Sequence, residues 1–478
     1  MSNTTVSAAM GRINALLDAN SFVEIGGQIT ARSTDFNLSE TETPSDGVIT
    51  GYGVIEGSMV YVYSQDASVL KGTIGEMHAG KIVRLYELAM KTGAPVLGFL
   101  DCAGMRLQEA TDALHALGEI YRSQVMASGV IPQITGIFGS CGGGLAIVPG
   151  LTDFTFMEKE TGHLFVNSPN AIDGNEKSKC DTSSAVFQGE ETGLADKVGT
   201  EAEILSEMRR LIVMLPENNE DDSSYIECTD DLNRICEQLE NSAGDAALML
   251  TQLADAHEFL ELKKDYGKDM TIGFLRLNGM TVGAVANRSE EYDADGNLKE
   301  SFGTVLSARG ARKAADFIRF CDAFQIPLLT VTNVTGFKAT KCAETHMAKS
   351  VAAMTYAFTE ATVPKVNVIT RKAYGSAYVA MNSRALGADM VFAWRDAKIG
   401  MMDARAAAKL MYIDEGIDVI DRKAAEYEAL QDSAASAARR GYVDAVIDPK
   451  DTRKHVIAAF EMLFTKREDR PGKKHGTV

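Results

Sequence analysis

Pro95 and Pro327 stand 232 positions apart, and the same interval separates Gly104 from Gly336, Pro132 from Pro364 and Gly143 from Gly375. Each landmark sits in a matched context: TGAPVLGFLDCAG faces FQIPLLTVTNVTG, and SGVIPQITGIFGSCGGGLA faces ATVPKVNVITRKAYGSAYV. Upstream the interval is 222, aligning Gly51 with Gly273 and Gly57 with Gly279, so a ten-residue insertion is expected, and EEYDADGNLKES at 290–301 supplies it. Shared spacing of prolines and glycines inside apolar runs marks an internal duplication. The chain must therefore build one fold twice, over about residues 20–200 and 255–450.

Each copy opens with a hairpin whose turn holds Glu56-Gly57 or Asn278-Gly279. Helices follow at 78–92 and 309–324, where apolar residues recur every three or four positions. A buried strand, a glycine-containing loop, a second helix (108–128 and 343–361), another buried strand and a glycine turn complete the unit. Strands alternating with helices predict an α/β class with largely parallel pairing. Two domains are expected, 1–250 and 251–478, the first including an acidic, partly helical connector at 201–250 with a loop at PENNEDDSS.

The turn FGSCGGGLAIVPG, between a strand-like and a helix-like run, is an anion receptor in outline, because uncovered amides and the positive end of a helix dipole point the same way. The phosphate-cradling pattern fails, since Leu145 and Ala146 occupy the Lys and Ser/Thr places, and the nucleophile elbow fails at Phe138. What remains is an oxyanion hole of backbone donors, suited to enolate chemistry. Three glycines also suit close packing of helix on strand. The second copy has its own turn, RKAYGSAY at 371–378, so two oxyanions are expected.

The net charge of -18 argues against a nucleic-acid partner; the one basic cluster is the tail RPGKKHGTV. No apolar run approaches the ~18 residues of a membrane span, and the first residues lack a secretory pattern, so a cytoplasmic protein is expected. Seven scattered cysteines without a C-x-x-C pair read as reduced, mostly packed thiols, and no metal is expected on this chain.

The stretches SDGVITGYGVIEG, TGAPVLGFLDCAGMRLQE, ASGVIPQITGIFGSCGGGLAIVPGLTDF and EATVPKVNVITRKAYGSAYVAMNSRALGADMVFAW carry a resemblance to the biotin-dependent acyl-CoA carboxyltransferases: propionyl-CoA carboxylase β subunits and methylmalonyl-CoA decarboxylase α subunits. The resemblance implies two tandem crotonase-like ββα-superhelix domains. It implies transfer of a carboxyl group between carboxybiotin on a separate carrier protein and an acyl-CoA, with coenzyme A entering as part of the substrate. The implied donors are the amides of Gly143 and Gly144 in one hole and of Ser376 and Ala377 in the other. Gly104, Met105, Arg106, Gly375, Tyr378 and Val379 fall at substrate positions, and Gly336 and Phe337 at the biotin position. Implied partners are a biotin carboxyl carrier protein, biotin carboxylase or membrane decarboxylase subunits, and further copies of the chain in a hexameric trimer of dimers.

Several residues depart from the family's pattern. Met105 replaces a small residue, Val379 stands where propionyl-CoA enzymes show Asp, and the loops at 338–350 and 163–187 are short. An altered acyl substrate and a non-catalytic paralogue that organises a complex both fit these departures, and a sodium-pumping decarboxylase would use the same site. A crotonase-like enzyme without biotin would need a pocket acid/base pair, which is not evident. For Arg106 a ligand contact competes with an ordinary salt bridge. Lys71 reads as solvated, His78 and His163 as structural, and Cys141 as small and buried. Ala-Met-Lys-Thr at 89–92 closes an amphipathic helix and is no biotinylation tip.

Overall fold

The structure is a computed structural model that describes residues 7–32, 36, 38–221 and 225–478. The chain divides into two compact units, Met1–Ser224 and Tyr225–Val478. The helix Glu201–Met214 belongs to the first. The helix Ala246–Leu253 buries Met249 and Leu250 in the second unit's core with Leu275 and Val282. Of the loop expected at 216–224, residues 222–224 lie outside the described residues.

In the first unit the strands Val23–Glu24, Val48–Ile55, Ser58–Gln65, Val96–Cys102, Gln133–Gly142, Phe154–Glu158 and Lys197–Gly199 stand side by side in chain order. The first three are antiparallel and the rest parallel, and His163–Phe165 adds beside the outer end of Gln133–Gly142. The second unit repeats this order with Phe259–Leu262, Met270–Leu277, Met280–Asn287, Leu328–Val334, Lys365–Tyr374, Met390–Trp394 and Ala445–Ile447, and Lys398–Gly400 pairs beside Lys365–Tyr374. The expected duplication and α/β class are thus present strand for strand.

Local chemistry explains the matching pieces. Ile55 pairs with Ser58 and Leu277 with Met280, leaving two-residue turns in which Glu56 and Gly57, and Asn278 and Gly279, all have positive φ. That is the turn whose twist suits a hairpin. The helices Glu76–Thr92 and Ala308–Ala323 follow, then Ala110–Ala127 and Lys341–Glu360, each within a few residues of its expected span. The insertion at 290–301 is itself a hairpin, with Glu290 opposite Ser301 and the Asp293 carboxylate accepting from the Asp295 and Asn297 amides.

The repeat also reaches the buried polar interior. Lys81 and Lys313, again 232 apart, are both buried, and each ammonium donates to main-chain carbonyls: Ser45 (2.9 Å) and Val48 for Lys81, Lys263 (2.7 Å) and Tyr266 (2.8 Å) for Lys313. Each ties a helix to the segment entering or opening its hairpin. Likewise Asp153 accepts the Gln133 amide and Asp389 the Lys365 amide, both at 2.8 Å, at the start of the strand that leads to the glycine turn.

Candidate active site

The strand Gln133–Gly142 runs straight into a 3-10 helix, Gly143–Ile147. The three glycines have three separate causes. A Cβ on Gly142 would lie 2.6 Å from the Phe165 ring, and one on Gly144 would lie 2.9 Å from Leu117 Cδ2. Gly143 is in open space but has φ +64, which favours glycine. Close packing therefore accounts for two of them and conformation for the third. The Gly143 and Gly144 amides stand in the first turn, where no intrahelical acceptor exists, and among the described residues no carbonyl or side chain outside the helix accepts from them. The Tyr121 hydroxyl donates to the Gly144 carbonyl and so pins the turn from the helix Ala110–Ala127.

The second turn has the same construction. Tyr374 ends its strand and precedes the helix Gly375–Ala380, in which Gly375 has φ +61, close to the value at Gly143. The Ser376 and Ala377 amides are likewise unspent among the described residues. Tyr374 donates its hydroxyl to Asp432 (3.0 Å). The far end of the helix is moored by Asn367, whose Nδ2 donates to the carbonyls of Met381 (3.1 Å) and Asn382 (2.9 Å) while its Oδ1 accepts from Thr332 (2.9 Å). Both asparagines are fully buried, so these bonds fix the helix in place rather than exchange with water.

Arg106 is not available to a ligand. Its side chain is 1% exposed, with Nη2 2.8 Å from Asp46 and Nη1 2.7 Å from Glu109, and Nη2 also donates to the Thr73 carbonyl (2.9 Å). The guanidinium lies where a Cβ on residue 75 would be, only 2.4 Å from Nη1, so Gly75 makes room for it. The expectation of a substrate contact is corrected: desolvated carboxylates hold this arginine inward, and it positions the loop carrying Gly104 and Met105. Burial pushes the Asp46 carboxyl above its ordinary value, against the pull of Arg106.

His78 completes this support. Its Nδ1 lies 2.9 Å from the Asp46 carbonyl, which can only accept, so Nδ1 carries the proton and Nε2 accepts from Gln65 Nε2 at 3.2 Å. Gln65 in turn accepts the Asp101 amide (3.2 Å) at the root of the loop. Burial lowers the His78 pKa from 6.5 to about 3. The unfolded chain therefore takes up a proton that the folded chain refuses as pH falls from 6.5 towards 3, and stability falls over that window. The expected loss is about 2 kcal/mol by about pH 5. Urea denaturation at neutral and mildly acid pH checks this, and His78→Gln should flatten the dependence.

The other expected residues take varied places. Met105 is exposed and Gly104 half-buried, at φ +110. Gly336 and Phe337 form a short strand parallel to Val305–Leu306, half-buried, and nothing lies within 4 Å of a Cβ built on Gly336. Val379 is exposed, whereas Tyr378 is half-buried and packs against a cluster that includes Ile369 and Val391. Lys71 is exposed and Cys141 is buried, its thiol 3.6 Å from the Leu145 carbonyl. Among the described residues no group of three His, Cys, Asp or Glu side chains could hold a metal ion, and no helix is long and apolar enough to cross a membrane.

The family model described as carboxyl transferase domain matches residues 6–478. The chain belongs to the carboxyl transferase domain family. The propionyl-CoA carboxylase beta chain of Roseobacter denitrificans is 39% identical over 484 residues, covering 98% of this chain and 93% of that protein. The methylmalonyl-CoA decarboxylase subunit alpha of Propionigenium modestum is 39% identical over 492 residues, covering 98% and 92%. Among solved structures, transcarboxylase 12S, a hexamer assembly described with methylmalonyl-coenzyme A and methylmalonic acid bound, matches with TM-score 0.91 and 36% identity, covering 98% of this chain and 92% of that one. The molecule is therefore a biotin-dependent carboxyltransferase of the propionyl-CoA carboxylase and methylmalonyl-CoA decarboxylase type, with the crotonase-like fold.

Sequence reasoning missed most of the residues that hold these turns in shape: Tyr121 on the first, Asn367 and Asp432 on the second, and Asp46, Glu109 and Gln65 behind the loop, where His78, read from the sequence as structural, joins them. Most act across long sequence separations, and no local pattern flags them.

Proposed function

We propose that the Gly143 and Gly144 amides receive the carbonyl oxygen of an acyl-CoA thioester and that the Ser376 and Ala377 amides receive the ureido oxygen of biotin borne on a separate carrier protein. The observation that supports this is a glycine of matching positive φ at equivalent points of both repeats, Gly143 and Gly375, with unspent main-chain amides at Gly143 and Gly144 in the first and, one residue further along, at Ser376 and Ala377 in the second. The open space beside Gly143 and Gly336 suits ligands that approach the backbone closely. Biotin would bring the carboxyl group and, once relieved of it, accept the α-proton of the thioester. The chain's own part is alignment and charge stabilisation: fixed N–H donors lower the energy of an enolate oxygen without any reorganisation at the moment of reaction. No side-chain base is required in this scheme, which fits the inward, structural roles of Arg106 and His78.

Direction is set by partners. With biotin carboxylase the chain would carboxylate an acyl-CoA; with membrane decarboxylase subunits it would run in reverse. A carrier protein, further copies of the chain in a hexamer like that described for transcarboxylase 12S, and a cytoplasmic location complete the proposal. The test is label transfer. Purified protein given methylmalonyl-CoA labelled in its free carboxyl group should release the label only when biotin or a biotinylated carrier is added. Silence over acetyl-, propionyl- and butyryl-type substrates in both directions would overturn the reading.

A further inference from the structure

We infer that Ile147 forms a wall of the acyl pocket and helps to decide which acyl chain the enzyme accepts. The inference rests on the thioester lying on the first turn, as proposed above. Ile147 closes the 3-10 helix Gly143–Ile147, following Gly144 by three residues, which places it on the same face of that helix as Gly144. A helical side chain leans back over the turn that precedes it, so Ile147 covers the surface beside the two unspent amides. Its neighbours Leu145, Ala146 and Val148 are buried, yet Ile147 is 44% exposed. Core packing does not account for it.

The duplication supplies an independent argument. Val379 lies 232 positions on, follows Ser376 by three residues in the second turn, and is 41% exposed. Met105 and Phe337 are a second pair at the same interval, each three residues beyond the end of an equivalent strand, Val96–Cys102 and Leu328–Val334. Each turn thus carries an exposed branched aliphatic residue at the same repeat position, and each preceding strand is followed by an apolar one at the same repeat position. A thioester whose oxygen sits on Gly143 and Gly144 lays one substituent towards Ile147. The pantetheine arm carries amides that need hydrogen-bond partners, whereas a simple acyl chain presents only C–H groups, so a branched aliphatic wall fits the acyl side. Isoleucine is stiff at χ1, which makes that wall a fixed one.

The experiment compares kcat/KM and thioester dissociation constants for acetyl-, propionyl- and butyryl-CoA in the unaltered chain, Ile147→Ala and Ile147→Phe. A methylene in an apolar pocket is worth roughly 10- to 200-fold in selection, so Ile147→Ala should raise the butyryl-to-acetyl ratio about tenfold and Ile147→Phe should lower it by a similar factor. The dissociation constants should move in the same sense. If both variants transfer carboxyl groups with unchanged ratios, the assignment of Ile147 is wrong and the proposed function stands. If the unaltered chain transfers to no thioester, the function falls and takes this assignment with it. Loss of far-UV circular dichroism in either variant would also count against the inference, because a solvent-facing wall contributes nothing to the core.

Discussion

Ser376→Pro is expected to lower the rate of carboxyl transfer about 100- to 1000-fold, the usual consequence of removing one oxyanion donor. A backbone donor cannot be deleted by changing a side chain, but proline has no N–H, and the first turn of a helix tolerates it because that N–H bonds nothing within the helix. Ser376 is the second residue of Gly375–Ala380 and its amide has no acceptor among the described residues. The residue before a proline is disfavoured in the right-handed helical region, and here that residue is Gly375 at φ +61, outside the region. Proline there removes one donor without breaking a hydrogen bond within the helix. Ser376→Ala, which deletes the hydroxyl and keeps the amide, should lose far less. Single-turnover rates for the two variants, with circular dichroism to confirm that both are folded, decide the matter; similar rates in both would mean that the Ser376 amide does not hold the developing charge.

Arg106→Leu is expected to destabilise the first unit by about 3–5 kcal/mol, the range for breaking a buried ion pair from one side. Leucine fills much of the space but leaves the carboxyls of Asp46 and Glu109 in a site where both side chains are fully buried. Arg106→Lys should recover only part of the loss, since one ammonium cannot reproduce the paired guanidinium contacts to two carboxylates and the Thr73 carbonyl. Denaturant unfolding followed by circular dichroism measures both. A loss under about 1 kcal/mol, the size of an exposed pair, would contradict the buried role.

The two substitutions also separate what a glycine turn needs. Donors are lost in one and the support beneath a neighbouring loop in the other, so the first should fall in rate with normal stability and the second should fall in stability first. His78 lies on the support side, which is why its acid sensitivity is expected in unfolding rather than in the chemistry.

Much of this molecule could be read before any coordinates, for a physical reason: the informative signals were local. Two-residue turns need positive φ, buried parallel strands need continuous apolar runs, and amphipathic helices need a spacing of three or four, so each element was written in its own residues. Duplication then doubled every signal, and the landmarks 232 apart located both amide turns. Tertiary structure alone decided which side chains turn inward. Arg106 stood in a loop beside the expected site, and only the sheet brings Asp46, sixty residues earlier, against it and turns it inward. Burial of a charge depends on where distant segments meet, which a linear pattern does not record. The same holds for Tyr121 on Gly144 and for Asn367 beneath the second turn, whereas Ile147 was within reach of the repeat interval but needed its exposure to acquire a meaning.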